Sequence, residues 1–146
     1  MLESEVWSKH LKPRLKVYGV ATRLENAASA SVPDVVFMAD GFICFIELKV
    51  DHNFMFEMPK YQFAYGVEIA PHIRRQYHWI ALWCEDVQGM RMFTFDRARS
   101  MEQRAKNDKI HFYWKPVWDK MPSHHHIRDF DSCELWINMI QSISRD

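Results

Sequence analysis

Two periods of apolar and polar residues run along this chain. At its start the period is helical. Glu3, Val6, Trp7, His10 and Leu11 share one face at spacings of three and four, which predicts a helix over residues 3–12. Pro13 is expected to interrupt it. A short strand is predicted over 20–26, followed by small residues at 27–31. Residues 32–38 then read as a strand, Ala39-Asp40-Gly41 as a hairpin turn and 42–50 as a second strand. In that second strand Phe42, Cys44, Ile46, Leu48 and Val50 point one way, and Ile43, Phe45, Glu47 and Lys49 the other. A strand apolar on both faces belongs in the middle of a covered sheet. Glu47 and Lys49 therefore end a buried face, where unpaired charge is costly.

Residues 51–58 read as an aromatic, Met-containing loop. Pro59 opens a helix to about residue 69, with Met58, Gln62, Tyr65 and Ile69 on one face. Pro71 ends or kinks that region. A strand over 77–85, a turn at 86–89 and a partner strand over 90–95 follow. Residues 97–106 read as helical, and 110–118 as a strand placed at an edge by Pro116. A polar, His-rich stretch spans 123–131. Residues 133–143 form a closing amphipathic helix capped by Asp131 or Ser132. The order predicts an α/β fold, a mixed sheet of about four to five strands flanked by helices. The closing helix, through Leu135, Trp136, Met139, Ile140 and Ile143, either completes the chain's own core or supplies a dimer contact.

A length of 146 residues suits one domain, and 48% hydrophobic with 14% aromatic residues excludes overall disorder. The 19 basic and 19 acidic residues balance, which excludes a strongly basic nucleic-acid coat. Charge is nevertheless segregated: Lys9, Lys12, Arg14 and Lys16 lie together without an acid. Cys44, Cys84 and Cys133 lack metal-type spacing, and Cys44 and Cys84, inside apolar runs, read as small core residues. The start of the chain has no apolar signal region, and no apolar run approaches the ~20 residues of a spanning helix. A soluble, reduced, cytoplasmic protein with no membrane partner is expected.

The candidate chemistry lies in the strand pair. A hairpin centred on Asp40-Gly41 sets Asp34 opposite about residue 47, bringing two carboxylates together. Like charges at that range repel unless a cation lies between them. Mg²⁺ or Mn²⁺ would suit such oxygen ligands, and the backbone carbonyl of Leu48 offers a third. Lys49 shares the Glu47 face, where its ammonium can orient a water or neutralise charge on a phosphate. Taken singly, Asp34 is an ordinary strand start, and Glu47 and Lys49 an ordinary solvated strand end. Their convergence favours the site. Phe54 and Phe56 read either as base-stacking groups or as core or dimer contacts. Tyr113, Trp114 and Trp118 read as core or interface. His124, His125 and His126 have no partner at zinc-site spacing and read as a polar loop or, when protonated, a weak phosphate contact.

These residues resemble the PD-(D/E)XK nuclease superfamily and, within it, the virus-type replication-repair nucleases (VRR-NUC), especially their small stand-alone phage members. The resemblance runs through Glu3-Ser4-Glu5-Val6-Trp7, then Arg23-Leu24-Glu25-Asn26, Pro33-Asp34, Glu47-Leu48-Lys49 and Gln62, and covers roughly residues 1–96. Residues 97–146 would be an extension of one nuclease domain. Ser31-Val32 stands where the family carries a glycine before Pro-Asp. The resemblance implies a restriction-endonuclease-like core, Asp34 and Glu47 as metal ligands and Lys49 as the catalytic lysine. It implies Gln62 orienting water or phosphate, and Glu3 as an outer or second-metal ligand. Glu3 is preferred over Glu5 because it lies on the Val6, Trp7 and Leu11 stripe. The implied activity is Mg²⁺- or Mn²⁺-dependent DNA endonuclease, selective for branched or Holliday-junction-like DNA in phage replication or recombination, with a homodimer suited to a symmetric junction. A sequence-specific homing or restriction nuclease, and a non-catalytic DNA- or protein-binding module, are the alternatives.

Overall fold

The computed structural model describes residues 1–24, 32–120 and 132–145. The first helix runs from α1 (Glu3–Glu5) through a π-helical stretch (Val6–Leu11) into α2 (Lys12–Leu15). It buries Val6, Trp7, Leu11 and Leu15. Pro13 does not stop it. The Lys12 amide reaches back to the Trp7 carbonyl, a widened turn immediately before the proline. Proline clashes with the carbonyl four residues earlier in a regular helix, and a π-bulge moves that carbonyl aside.

The strands β1 (Val20–Arg23), β2 (Val35–Ala39) and β3 (Phe42–Val50) form a meander. β4 (Met55–Pro59) and α3 (Lys60–Ile69) follow, then β5 (His78–Cys84), β6 (Gly89–Thr94) and α4 (Phe95–Arg99). The chain continues with β7 (Glu102–Lys106), β8 (Lys109–Tyr113), α5 (Lys115–Asp119) and α6 (Cys133–Arg145). A five-stranded sheet has the order β1-β2-β3-β5-β6, and a three-stranded sheet the order β4-β8-β7. Among the described residues only the β3–β5 pairing is parallel. The fold is thus a mixed α/β sheet with helices against it, as the pattern predicted.

Asp40 (φ 48) and Gly41 (φ 85) form the two-residue turn between β2 and β3. Positive φ at both positions matches the right-handed twist of the strands and fixes the register. Val35 pairs with Ile46, so position 34 falls opposite 47. Each face of the sheet has its own core. The first helix and α6 cover Val35, Phe37, Cys44, Ile46 and Leu48. On the opposite face, Ile80, Leu82 and Phe93 pack with Phe56, Met58 and Phe112 of the small sheet. Trp136 and Ile140 of α6 are buried in the first core, while Leu135 is exposed. α6 therefore closes the chain's own core, of the two roles read for it. Cys44 and Cys84 are buried, as expected, and so is Cys133.

Several expectations are corrected. Residues 55–59 are β4 rather than loop. Phe56 is fully buried and stacks on Phe112 at 5.0 Å, so it is core and not a base platform. Phe54 remains partly exposed beside Trp114. The helix predicted at 97–106 is two elements. Thr94 caps a short α4 by accepting the Arg97 amide at 3.0 Å, and 102–106 pairs with β8 as a wholly exposed edge strand. Glu-Gln-Arg-Ala-Lys is a helix-favouring run, overridden here by pairing to a strand that Phe112 anchors. Pro116 opens α5 instead of marking a strand edge. Trp114 and Trp118 are core, flanking the Arg91 guanidinium at 4.9 and 5.6 Å. Part of the predicted 20–26 strand, all of the small-residue run at 27–31 and His124–His126 lie outside the described residues.

Gly66 sets how closely α3 approaches. A Cβ there would clash with the Phe95 ring, and Phe95 is itself buried. Alanine would gain about 1 kcal/mol in helix propensity, but overpacking costs ~1–3 kcal/mol. Gly66→Ala is therefore expected to lower the melting temperature. A variant as stable as the wild type would show that Phe95 gives way freely.

Candidate active site

The hairpin register delivers the first three residues. Asp34 stands just before β2, and its Oδ2 accepts the Leu48 amide at 2.8 Å. Its own carbonyl accepts the Leu24 amide at 2.8 Å. Glu47 and Lys49 lie on the face of β3 opposite Leu48 and are 2% and 5% exposed. The N–H and C=O of one strand residue point toward the same neighbour, so the Leu48 carbonyl is directed to the Asp34 side.

Two further predicted residues reach the same place from helices. Lys49 Nζ donates to Gln62 Oε1 at 2.6 Å, and Gln62 is buried on the α3 face that also carries Gly66. Glu3 Oε1 lies 3.7 Å from Lys49 Nζ. Glu5 instead pairs with Lys9 at 3.9 Å on the surface, so the structure brings Glu3 and not Glu5 to the cluster. A cavity of ≈ 440 Å³ is lined by Glu3, Asp34, Lys49 and Gln62, together with Tyr61 and Lys109 among others.

Electrostatics single out Glu47. Burial pushes its carboxyl well above the usual range, Asp34 and Glu3 push the same way, and Lys49 opposes them. Glu47 Oε2 is buried with no hydrogen-bond partner among the described residues. Burial also raises Glu3, offset mainly by Lys49. Three acidic side chains thus converge on Lys49, with Arg23 also acting on Glu3, and the cost of ionising Glu47 there is what raises its carboxyl. A divalent cation would favour the ionised form and occupy the orphaned oxygen. Among the described residues no three His, Cys, Asp or Glu side chains form a ready metal cluster. Mg²⁺ needs fewer, binding through one or two carboxylates while keeping several waters. Asp34, Glu47 and the Leu48 carbonyl fit that demand.

Sequence reasoning missed His78. Its Nε2 lies 3.4 Å from Glu47 Oε1, and both side chains are buried. Burial pushes its pKa down to about 4, so the ring is a neutral imidazole near pH 7. The signal was the parallel register. Phe45 pairs with His78 and Glu47 with Ile80, which puts both side chains on one face of neighbouring strands. A strand pairing between distant segments is not readable from local periodicity.

No protein-family model and no curated protein matches the sequence. Solved structures do match by shape. The Holliday junction resolvase Hjc of the archaeon Archaeoglobus fulgidus is similar over 80% of this chain and 87% of its own, at 15% identity and a TM-score of 0.55. A bacterial homing endonuclease is similar over 92% of this chain and 85% of its own, at 14% identity and a TM-score of 0.43. No helix among the described residues is long and apolar enough to cross a membrane. The likeness to the resolvase and the mixed sheet together place the chain in the restriction-endonuclease-like fold class.

Proposed function

We propose that the chain is a divalent-metal-dependent DNA endonuclease that hydrolyses phosphodiester bonds at Asp34, Glu47 and Lys49. The observation that carries this is the convergence of Asp34, Glu47 and Lys49 at one strand end, with Asp34 and Lys49 lining an open cavity and Glu47 buried beside them. A purely structural site would gain nothing from Glu47, whose buried, unpartnered oxygen is destabilising without a cation.

Asp34, Glu47 and the Leu48 carbonyl would hold Mg²⁺ or Mn²⁺. When bound, such an ion polarises the phosphoryl oxygen and lowers the pKa of a water. Asp34 is held for this by the Leu48 amide, and Glu47 by burial between β3 and β5. Lys49, aimed by Gln62 Oε1, donates to the nonbridging oxygen that gains charge in the transition state or orients the attacking water. Gln62 keeps its amide nitrogen for a water or phosphate. Glu3 at the cavity wall limits the mobility of Lys49 and serves as an outer ligand.

The fold likeness to a junction resolvase and the sequence resemblance to small phage VRR-NUC proteins support a preference for branched DNA, and with it a place in phage replication or recombination. A symmetric four-way junction calls for two active sites, hence a homodimer. Neutral net charge sets an expectation of modest, salt-sensitive affinity. The test is cleavage of labelled four-way junction, flap, single-stranded and duplex DNA with Mg²⁺ or Mn²⁺. Preferential cutting of junction or flap is expected. A single preferred site in plain duplex would favour the sequence-specific alternative. Binding without cutting of any substrate would favour the binding module.

A further inference from the structure

We propose that His78 is a positioning residue for Glu47: its Nε2 holds one carboxylate oxygen so that the other is presented for metal. This rests on the nuclease reading above and extends it to a residue outside the strand pair. The contact at 3.4 Å engages Oε1, and Oε2 is the buried oxygen without a partner. The carboxylate therefore has one oxygen tethered and one left over, the arrangement a monodentate ligand needs.

The imidazole is itself held. Its ring stacks on Phe95 at 4.7 Å and 6°. Phe95 in turn packs on Phe63 at 5.7 Å and against the backbone of Gly66. Lys49 is fixed from the same helix through Gln62. α3 thus orients both polar side chains of the β3 end. It fixes Lys49 directly through Gln62, and Glu47 at two removes through Phe95 and His78. The fixed ring needs only its Nε2–H tautomer to donate to Glu47. Partners of this kind, one shell behind a metal ligand, typically change metal affinity by about 10–100-fold.

The test separates the donor from the stack. His78→Phe keeps an aromatic ring on Phe95 and removes the donor, whereas His78→Gln keeps a donor and removes the ring. Mn²⁺ binding is measured by calorimetry without DNA for the wild type, both variants and Glu47→Gln, with circular dichroism and melting as controls. His78→Phe is expected to lose at least about tenfold in Mn²⁺ affinity, and His78→Gln to recover most of it. In cleavage, kcat should fall in His78→Phe with KM for DNA unchanged. If His78→Phe does not fold, His78→Leu, which also lacks a donor, is compared in its place. Wild-type Mn²⁺ affinity in the folded donor-less variant overturns the proposal. So does equal weakness in His78→Gln, which would make the stack the operative feature. A wild type that binds no Mn²⁺, or a Glu47→Gln variant that binds as the wild type does, overturns the metal reading itself and the proposal with it.

Discussion

Lys49→Ala is expected to slow single-turnover cleavage by roughly a thousandfold while leaving DNA affinity within a few-fold. Lys49 is 5% exposed and its nitrogen is fixed by Gln62 at 2.6 Å and Glu3 at 3.7 Å. Such a group contributes little to gathering DNA at long range, because its charge is offset by neighbouring carboxylates. It contributes most when charge develops on the phosphate a few ångströms away. Loss of one preorganised donor to that charge costs about 10²–10³ in rate, and loss of an acid–base role a similar factor. Lys49→Arg is expected to rescue poorly, because the planar guanidinium cannot take the place of a compact ammonium against Gln62. Rates under single turnover and binding by fluorescence anisotropy decide the matter. A rate within tenfold of the wild type would remove Lys49 from the chemistry.

Glu47→Gln is expected to abolish cleavage and yet stabilise the metal-free protein. Glu47 is buried at 2% exposure with one oxygen unpartnered, and glutamine keeps its shape but has no charge to desolvate, so the gain appears where the Glu47 carboxyl is ionised. The sign with pH follows from its raised carboxyl. A carboxyl whose folded value lies above its unfolded value contributes stability fully present below about pH 4.5, and lost as pH rises through the folded value. The melting-temperature advantage of Glu47→Gln should therefore be small near pH 5 and grow toward pH 8. His78 works the other way. Pushed down to about 4, it contributes stability present above about pH 6.5 and lost as pH falls toward 4. Because His78 touches Glu47, the two titrations are coupled, and the comparison is read above about pH 6.5, where the ring is neutral. Adding Mg²⁺ should raise the wild-type melting temperature and leave the variant's unchanged. A variant less stable than the metal-free wild type at pH 8 would mean that Glu47 already has a compensating partner.

What was legible in the sequence tracks how local the determining physics is. The turn chemistry of Asp40-Gly41 and alternation along 42–50 sufficed to set position 34 opposite 47. The stripe of Val6, Trp7 and Leu11 was enough to choose Glu3 over Glu5 as the residue near Lys49. Gln62 was reachable from helix periodicity together with the family resemblance. Three features were not legible. Pro13 predicts an interruption of the first helix, because a π-bulge leaves no sequence signature that outweighs the proline itself. Residues 102–106 look helical because edge strands with no buried side chain are not distinguished by hydrophobic alternation. His78 lies near Glu47 only through a parallel pairing across intervening helix and strand, which no window of the sequence contains.

The most direct measurement is single-turnover cleavage of a labelled four-way junction by the wild type and by Glu47→Gln, across Mg²⁺ concentrations starting from EDTA. Expected are no cleavage in EDTA, recovery with added Mg²⁺ in the wild type, and none in the variant at any concentration. Cleavage in EDTA, or equal rates for the two proteins, would contradict a metal-dependent centre built on Asp34, Glu47 and Lys49.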